Sequence, residues 1–264
     1  MPQQDPTAPL PPFPNRLKDR IALVTGGASG LGAAIASRLA NEGAIVWVTD
    51  IDLSGAESHA ATLPGARAIQ LDVTSRTQWQ AAIAAVSEKH VSLDILVNNA
   101  GITTMGSIET LDVDAFRHEL EVDVIGVFLG CQTALPILTR HGGSIINIAS
   151  AAGLRADPEL VGYNAAKAAV TLMTKSVALH CAKSGYGIRC NSVHPGAIHT
   201  PIIDKVLAQV PDPKKTMAEF ESWHPVGRLG QPEDIAAITA FLASDESRFA
   251  TAAAFSIDGG MAAL

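Results

Sequence analysis

The 264-residue chain is poor in cysteine, in blocks of like charge and in long apolar runs, and each shortage excludes a class of protein. Its three cysteines, Cys131, Cys181 and Cys190, form no CxxC pair. The eight histidines (His59, His90, His118, His141, His180, His194, His199 and His224) are scattered rather than clustered. No zinc site or other metal site is therefore expected. A sparse, odd cysteine count predicts reduced thiols that pack as small apolar groups in a cytoplasmic protein. Charged residues make up 17% of the chain, the longest basic run is Lys214-Lys215, and net charge is -7. A nucleic-acid binder would carry a basic footprint, and none is present. No run approaches the roughly 18 continuous apolar residues of a membrane helix, so no membrane partner is expected. The N-terminus lacks an apolar stretch of signal length. It holds Pro2, Pro6, Pro9, Pro11, Pro12 and Pro14 instead. Residues 1–19 read as an extended, polyproline-like arm, either disordered or packed on the surface or a neighbouring subunit.

What is present is apolar residue in abundance, 47% of the chain, enough for a large core. Seven runs read as buried strands: Arg20–Thr25, Ala44–Thr49, Ala66–Leu71, Leu93–Val97, Gly143–Ala149, Ile188–Val193 and Ala253–Ile257. They are apolar throughout rather than alternating, as strands of a parallel sheet must be when helices cover both faces. Helical spacing falls between them, at Leu31–Asn41, Arg76–Lys89, Asp114–Leu138, Tyr163–Lys183 and Pro232–Ala243. Pro232, followed by Glu233 and Asp234, suits a helix start. The alternation predicts an α/β fold over residues 20–264: a single doubly wound Rossmann domain, with a seven-stranded parallel sheet between helices. Ligands of such folds bind beyond the carboxyl ends of the strands, where strand order reverses.

The first strand runs into Thr25-Gly26-Gly27-Ala28-Ser29-Gly30-Leu31-Gly32. Glycines there let backbone N–H groups approach a pyrophosphate, which the following helix N-terminus favours. The GxxxGxG spacing of Gly26, Gly30 and Gly32 differs from GxGxxG, and alone it describes only a tight turn. Its place between a strand and a helix, early in the chain, points to a dinucleotide. Asp50 ends the second strand eighteen residues after Gly32. A carboxylate there accepts from ribose hydroxyls and repels a 2′-phosphate. Ala28, Ser29 and Ile51 add no cation, so NAD is expected rather than NADP.

Tyr163 and Lys167 stand four apart in a helical stretch and share one face. A cation beside a phenol favours the phenolate, which suits tyrosine to general acid–base work near neutral pH. Ser150 follows the strand GSIINIA and precedes Tyr163 by thirteen residues. Its hydroxyl could hold a substrate oxygen beside the phenol. Each feature alone has a bland reading, an amphipathic helix or a loop start. Together with the glycine loop they read as a site.

On these residues the chain, over roughly 18–260, resembles the short-chain dehydrogenase/reductase family. The resemblance extends to Asp72 in LDVT, the NNAG motif Asn98-Asn99-Ala100-Gly101, Pro195-Gly196 with Ile198 and Thr200, and Asp258-Gly259-Gly260. It implies Ser150, Tyr163 and Lys167 as catalytic residues. It implies an NAD site of Gly26, Ser29, Gly30, Leu31, Gly32, Asp50, Ile51, Asp72, Val73, Asn99, Ala100, Gly101, Tyr163, Lys167, Pro195, Gly196, Ile198 and Thr200. It also implies a homotetramer bundled through the helices at Asp114–Leu138 and Tyr163–Lys183. One position departs: Asp123, in VDVIGVF, stands where the family usually has asparagine. Its backbone carbonyl can still anchor the water of the family's proton relay, while its carboxylate brings negative charge near Lys167.

The substrate walls are expected from Ala151 to Leu154, from Leu160 to Gly162, and from Ala197 to Trp223, with residues 202–223 as a helical lid. Apolar lining suits a small molecule with one oxygen function. The segments ALHCAKSGYGIRCNSVHPG and FLASDES resemble bacterial 3β/17β-hydroxysteroid and cyclic-alcohol dehydrogenases, which favours a hydroxysteroid or another alicyclic secondary alcohol. Two alternatives stand beside it. A 3-oxoacyl thioester reductase is disfavoured by Asp50 and by Leu179 and His180, where a docking arginine is expected. A catalytically poor NAD-binding sensor is suggested only by Asp123.

Overall fold

The computed structural model describes residues 13–138, 141–201, 203, 207–208 and 211–263. Seven strands are present: β1 (Ile21–Thr25), β2 (Ile45–Asp50), β3 (Arg67–Gln70), β4 (Ile95–Asn98), β5 (Gly143–Ile148), β6 (Ile188–Pro195) and β7 (Ala254–Ile257). They form one all-parallel sheet in the order β3-β2-β1-β4-β5-β6-β7. The order reverses between β1 and β4, so the crevice that parallel sheets offer to ligands lies at their carboxyl ends. The helices described are α1 (Gly30–Asn41), α2 (Leu53–Ala60), α3 (Arg76–Lys89), α4 (Val113–Leu120), α5 (Gly126–Leu138), α6 (Val161–Lys183), α7 (Pro213–Ser222) and α8 (Pro232–Ala243).

Successive strand residues face opposite sides, and both sides are apolar because both are covered. Ala22 and Val24 of β1 pack with Ile35 and Leu39 of α1 and with Ile235 and Ala240 of α8. Ile21 and Leu23 pack the other way, with Trp79 of α3, Leu129 and Ile137 of α5, and Val170 of α6. Trp79 is fully buried, and its indole N–H donates to the Val73 carbonyl at 3.0 Å. The Rossmann reading thus holds in strand number, direction and layering.

Three differences from the sequence reading have physical causes. The proline-rich arm was expected to run to residue 19, yet residues 13–19 belong to the body. Leu17 is completely buried, and Arg16 Nε meets Glu42 Oε2 at 2.7 Å; residues 1–12 lie outside the described ones. Helix α2 was not expected. It is short and contains Gly55, and Asp52 starts it by accepting from the Gly55 N–H at 3.1 Å. The expected single helix Asp114–Leu138 is a helical run from Val113 to Leu138 with a π-helical segment, Glu121–Ile125, in its middle. By length and composition this run could cross a membrane. It packs instead on α3 and α6, and Glu119 and Asp123 on it are fully buried. Within the expected lid, α7 is helical, while residues 202, 204–206 and 209–210 lie outside the described ones.

Candidate active site

The glycine loop closes the turn from β1 into α1. Gly26 and Gly30 have positive φ, 62° and 54°, which side chains resist. A Cβ on Gly32 would collide with the Gly26 carbonyl, so position 32 must be bare for α1 to start so close to the strand. Ser29 occupies the N-cap position of α1 without a side-chain cap bond. The first N–H groups of the helix are thus left to a ligand, which is what a pyrophosphate requires. Leu31 packs against the core behind the loop.

Asn99 and Thr25 fasten this loop to β4. Asn99 Nδ2 donates to the Thr25 carbonyl at 2.9 Å, and the Asn99 and Ala100 N–H groups donate to Thr25 Oγ1 at 2.9 and 3.0 Å. The segment after β6 arches over the loop: Thr200 and Pro201 are the atoms nearest to the open face of Gly30, about 4 Å from a Cβ placed there. Ile198 is buried and bridges to Gly230, and Pro195 ends β6. A Cβ on Gly196 would press on the His224 ring at 2.7 Å. His224 in turn accepts from the Ala197 N–H at 3.0 Å through Nε2 and donates to the Phe220 carbonyl at 2.8 Å through Nδ1. The sequence reading counted His224 among the scattered histidines; the fold makes it the clamp of this segment.

At the end of β2, Asp50 Oδ2 accepts from the Ala28 N–H at 3.1 Å and Oδ1 from the Asp52 N–H at 3.0 Å. The carboxylate is held at the rim of the glycine loop, with Ile51 exposed beside it. Asp72 accepts from the Thr74 N–H and hydroxyl at 2.9 and 2.7 Å, which folds the loop after β3. Val73 is buried against Gly126, so its side chain serves packing. Bare glycines, a helix start without a side-chain cap and a carboxylate fixed at the rim of the loop together fit a dinucleotide.

Ser150 follows β5, and its Oγ accepts from the Ala152 N–H at 3.1 Å as a 3₁₀ turn begins. That turn packs on α6: a Cβ on Gly153 would touch the Lys167 backbone at 2.7 Å. Behind it, His194 Nδ1 donates to the Ser150 carbonyl at 2.9 Å, and Nε2 accepts from the Ser192 hydroxyl at 2.8 Å. Both contacts suit a neutral ring, and burial lowers its pKa below the ordinary 6.5. Tyr163 lies on the first turn of α6, partly exposed. Lys167, one turn on, places Nζ 5.4 Å from the Tyr163 ring centre and 3.3 Å from the Ile148 carbonyl at the end of β5.

Lys167 is also paired with Asp123, whose Oδ2 lies 2.9 Å from Nζ with both side chains buried. The wide turn of the π segment carries Asp123 inward, where Oδ1 accepts from the Ile102 N–H at 2.8 Å. Burial alone would lower the lysine pKa, but attraction from Asp123 chiefly, with Tyr163 and Glu119, leaves it raised. Glu119, on α4, is fully buried too: Oε1 accepts from the Thr104 N–H at 2.9 Å, and Oε2 has no partner among the described residues. Burial first, then Asp123, raise its pKa against the opposing Thr104 bond and Lys167. No sequence motif marks Glu119. Nor did one mark Asn147, which accepts from Asn98 Nδ2 at 2.8 Å and donates to Thr174 at 2.9 Å beneath the site.

A parallel sheet with this loop and these strand-end side chains defines a nucleotide-dependent oxidoreductase of the Rossmann type. A family model described as enoyl-(acyl carrier protein) reductase matches residues 26–262. The 3-beta-hydroxysteroid dehydrogenase of Comamonas testosteroni is 41% identical, over 88% of this chain and 92% of its own length. The NADP-dependent (R)-specific alcohol dehydrogenase of Lentilactobacillus kefiri is 39% identical, over 94% and 99%. The trans-4-hydroxycyclohexanecarboxylate dehydrogenase of Sinomonas cyclohexanicum is 39% identical, over 93% and 94%. Ligand-free aldohexose dehydrogenase of Thermoplasma acidophilum superposes with a TM-score of 0.86 at 32% identity, covering 96% of this chain and 97% of that one. The chain belongs to the short-chain dehydrogenase/reductase family, and it is an oxidoreductase of alcohols and ketones.

Proposed function

We propose that the protein interconverts a secondary alcohol and a ketone on an apolar, alicyclic or steroid substrate, with NAD(H) as its cofactor and Tyr163 as its general acid–base. The observation that carries the cofactor choice is Asp50, fixed by the Ala28 and Asp52 N–H groups where a ribose would lie. A carboxylate there costs a 2′-phosphate its place, and Ala28, Ser29 and Ile51 supply no compensating cation. The relative that is NADP-dependent makes this a point to measure rather than to inherit. The bound nicotinamide supplies or accepts the hydride. Ser150 holds the substrate oxygen, Tyr163 moves the proton at that oxygen, and Lys167 supplies positive charge behind the phenol.

The substrate class rests on the lining. Leu154 and Trp223 are exposed at the ends of the Ser150 turn and α7. Relatives named for steroid and cyclohexane substrates agree with it. The protein is also read as a cytoplasmic homotetramer. Ile125 and Phe128 on the long helical run, with Leu172 and Leu179 on α6, stay exposed on a single subunit and would be covered in such a bundle.

The test is NADH absorbance with NAD or NADP and a panel of hydroxysteroids, cyclic alcohols and aliphatic secondary alcohols. NAD-dependent turnover that falls about 10²–10⁴-fold in Tyr163→Phe, with NADH binding retained, is the expected result. A preference for NADP would overturn the role given to Asp50. Silence across the panel with NADH bound would overturn the substrate class.

A further inference from the structure

Lys167 has two neighbours that make opposite demands on its charge. A phenol gives up its proton more readily the more positive its surroundings are, and Lys167 Nζ lies 5.4 Å from the Tyr163 ring centre. Asp123 Oδ2 lies much nearer to Nζ, at 2.9 Å, on a carboxylate that is fully buried. A cation and an anion so close present a neighbour with a dipole rather than a net charge, and with little water to screen them the cancellation is effective.

The other groups around Lys167 do not restore the positive charge. Glu119, from α4, is fully buried with one oxygen unpartnered among the described residues, and it adds no positive charge. His194, from β6, donates through one ring nitrogen and accepts through the other, a setting for the neutral ring. Asp258, beyond β7, and Lys175, on α6, act on His194 with opposite signs. The space is also built for the pair: a Cβ on Gly101 would lie 3.0 Å from Asp123 Oδ2 and 3.2 Å from Lys167 Nζ.

We propose that Asp123 is a positioning residue of the reaction: it offsets the Lys167 charge at Tyr163 and so favours the phenol over the phenolate, the form from which ketone reduction draws its proton. This rests on the activity proposed above and adds a direction to it. In that direction the carbonyl carbon takes the hydride from the reduced nicotinamide, which is oxidised. The Tyr163 O–H bond breaks as the new alcohol O–H bond forms, and water returns a proton to the phenolate.

The chain holds only two tyrosines, Tyr163 and Tyr186, so the phenol can be read directly. In a Tyr186→Phe background, tyrosinate absorbance follows Tyr163 alone, with neither substrate nor cofactor present. Adding Asp123→Asn removes the negative charge and keeps an oxygen for the Ile102 N–H. We expect the midpoint to fall by about one pH unit, a tenfold change in the ionisation constant. Adding Glu119→Gln instead, at a carboxyl that forms no ion pair with Lys167 among the described residues, is expected to move the midpoint less. A midpoint unchanged or raised by Asp123→Asn overturns the proposal, and so does an equal fall with Glu119→Gln, which would give the effect to Glu119. If Asp123→Asn does not fold, Asp123→Ser gives the same reading. Because the titration needs no turnover, a silent substrate panel would overturn the substrate class proposed above and leave this result standing.

Discussion

Glu119 Oε2 occupies the space that a side chain at position 162 would need: a Cβ on Gly162 would collide with it. Gly162 is buried and immediately precedes Tyr163 on the first turn of α6. Two elements distant in sequence are therefore fitted to each other at the residue before the proposed acid–base. Gly162→Ala is expected to destabilise the fold by about 1–3 kcal/mol through overpacking, and to lower kcat by shifting the first turn of α6. Glu119→Ala in the same chain should restore much of both, because it removes the colliding oxygen. Denaturant unfolding of the two single variants and the double measures the coupling. Additive effects would show that the collision is relieved elsewhere.

The fold was legible because both faces of the sheet are covered, which turns each strand into a continuous apolar run. Ser150, Tyr163 and Lys167 were legible because one strand end and one helical turn place them. Glu119 was not: it is a glutamate on a helix whose exposed face carries Glu121, and spacing alone does not tell which acid points inward. The π segment that turns Asp123 toward Lys167 has no composition of its own. His224 escaped for a similar reason, since its partners, the Ala197 N–H and the Phe220 carbonyl, are backbone groups that sequence does not display.

The three cysteines are buried, with Cys131 against the side chains of Asn98 and Asn147 and Cys190 against that of Asn147. Burial pushes the Cys131 thiol up to about 12, raises that of Cys181, and raises that of Cys190 well above its ordinary value. Only the thiolate reacts readily with disulfide reagents. Native protein should therefore release almost no chromophore from an aromatic disulfide reagent at neutral pH, and denatured protein should release that of three thiols. Activity should survive prolonged exposure of the native protein to the reagent. Rapid titration of even one thiol in the native state would contradict the packing of α5, α6 and β6 described above.

Glu119 and His194 should tilt stability in opposite directions with pH. The Glu119 carboxyl is raised above its ordinary 4.5, chiefly by burial. Folded protein then holds a proton that the unfolded chain has released, so the stability present below about 4.5 declines as pH rises from there through the folded pKa. His194 is lowered below 6.5, again chiefly by burial. There the unfolded chain takes up a proton that the fold refuses, so stability present above about 6.5 declines as pH falls toward the folded pKa. Glu119→Gln keeps an acceptor for the Thr104 N–H and cannot ionise, so its stability relative to the parent should climb as pH rises above about 4.5. His194→Asn keeps a donor for the Ser150 carbonyl and cannot take the proton, so its relative stability should climb as pH falls below about 6.5. Urea midpoints of the three proteins across this range give both slopes. A Glu119→Gln curve parallel to the parent would mean that the buried carboxyl is ionised throughout. A parallel His194→Asn curve would mean that the ring takes up its proton within the fold.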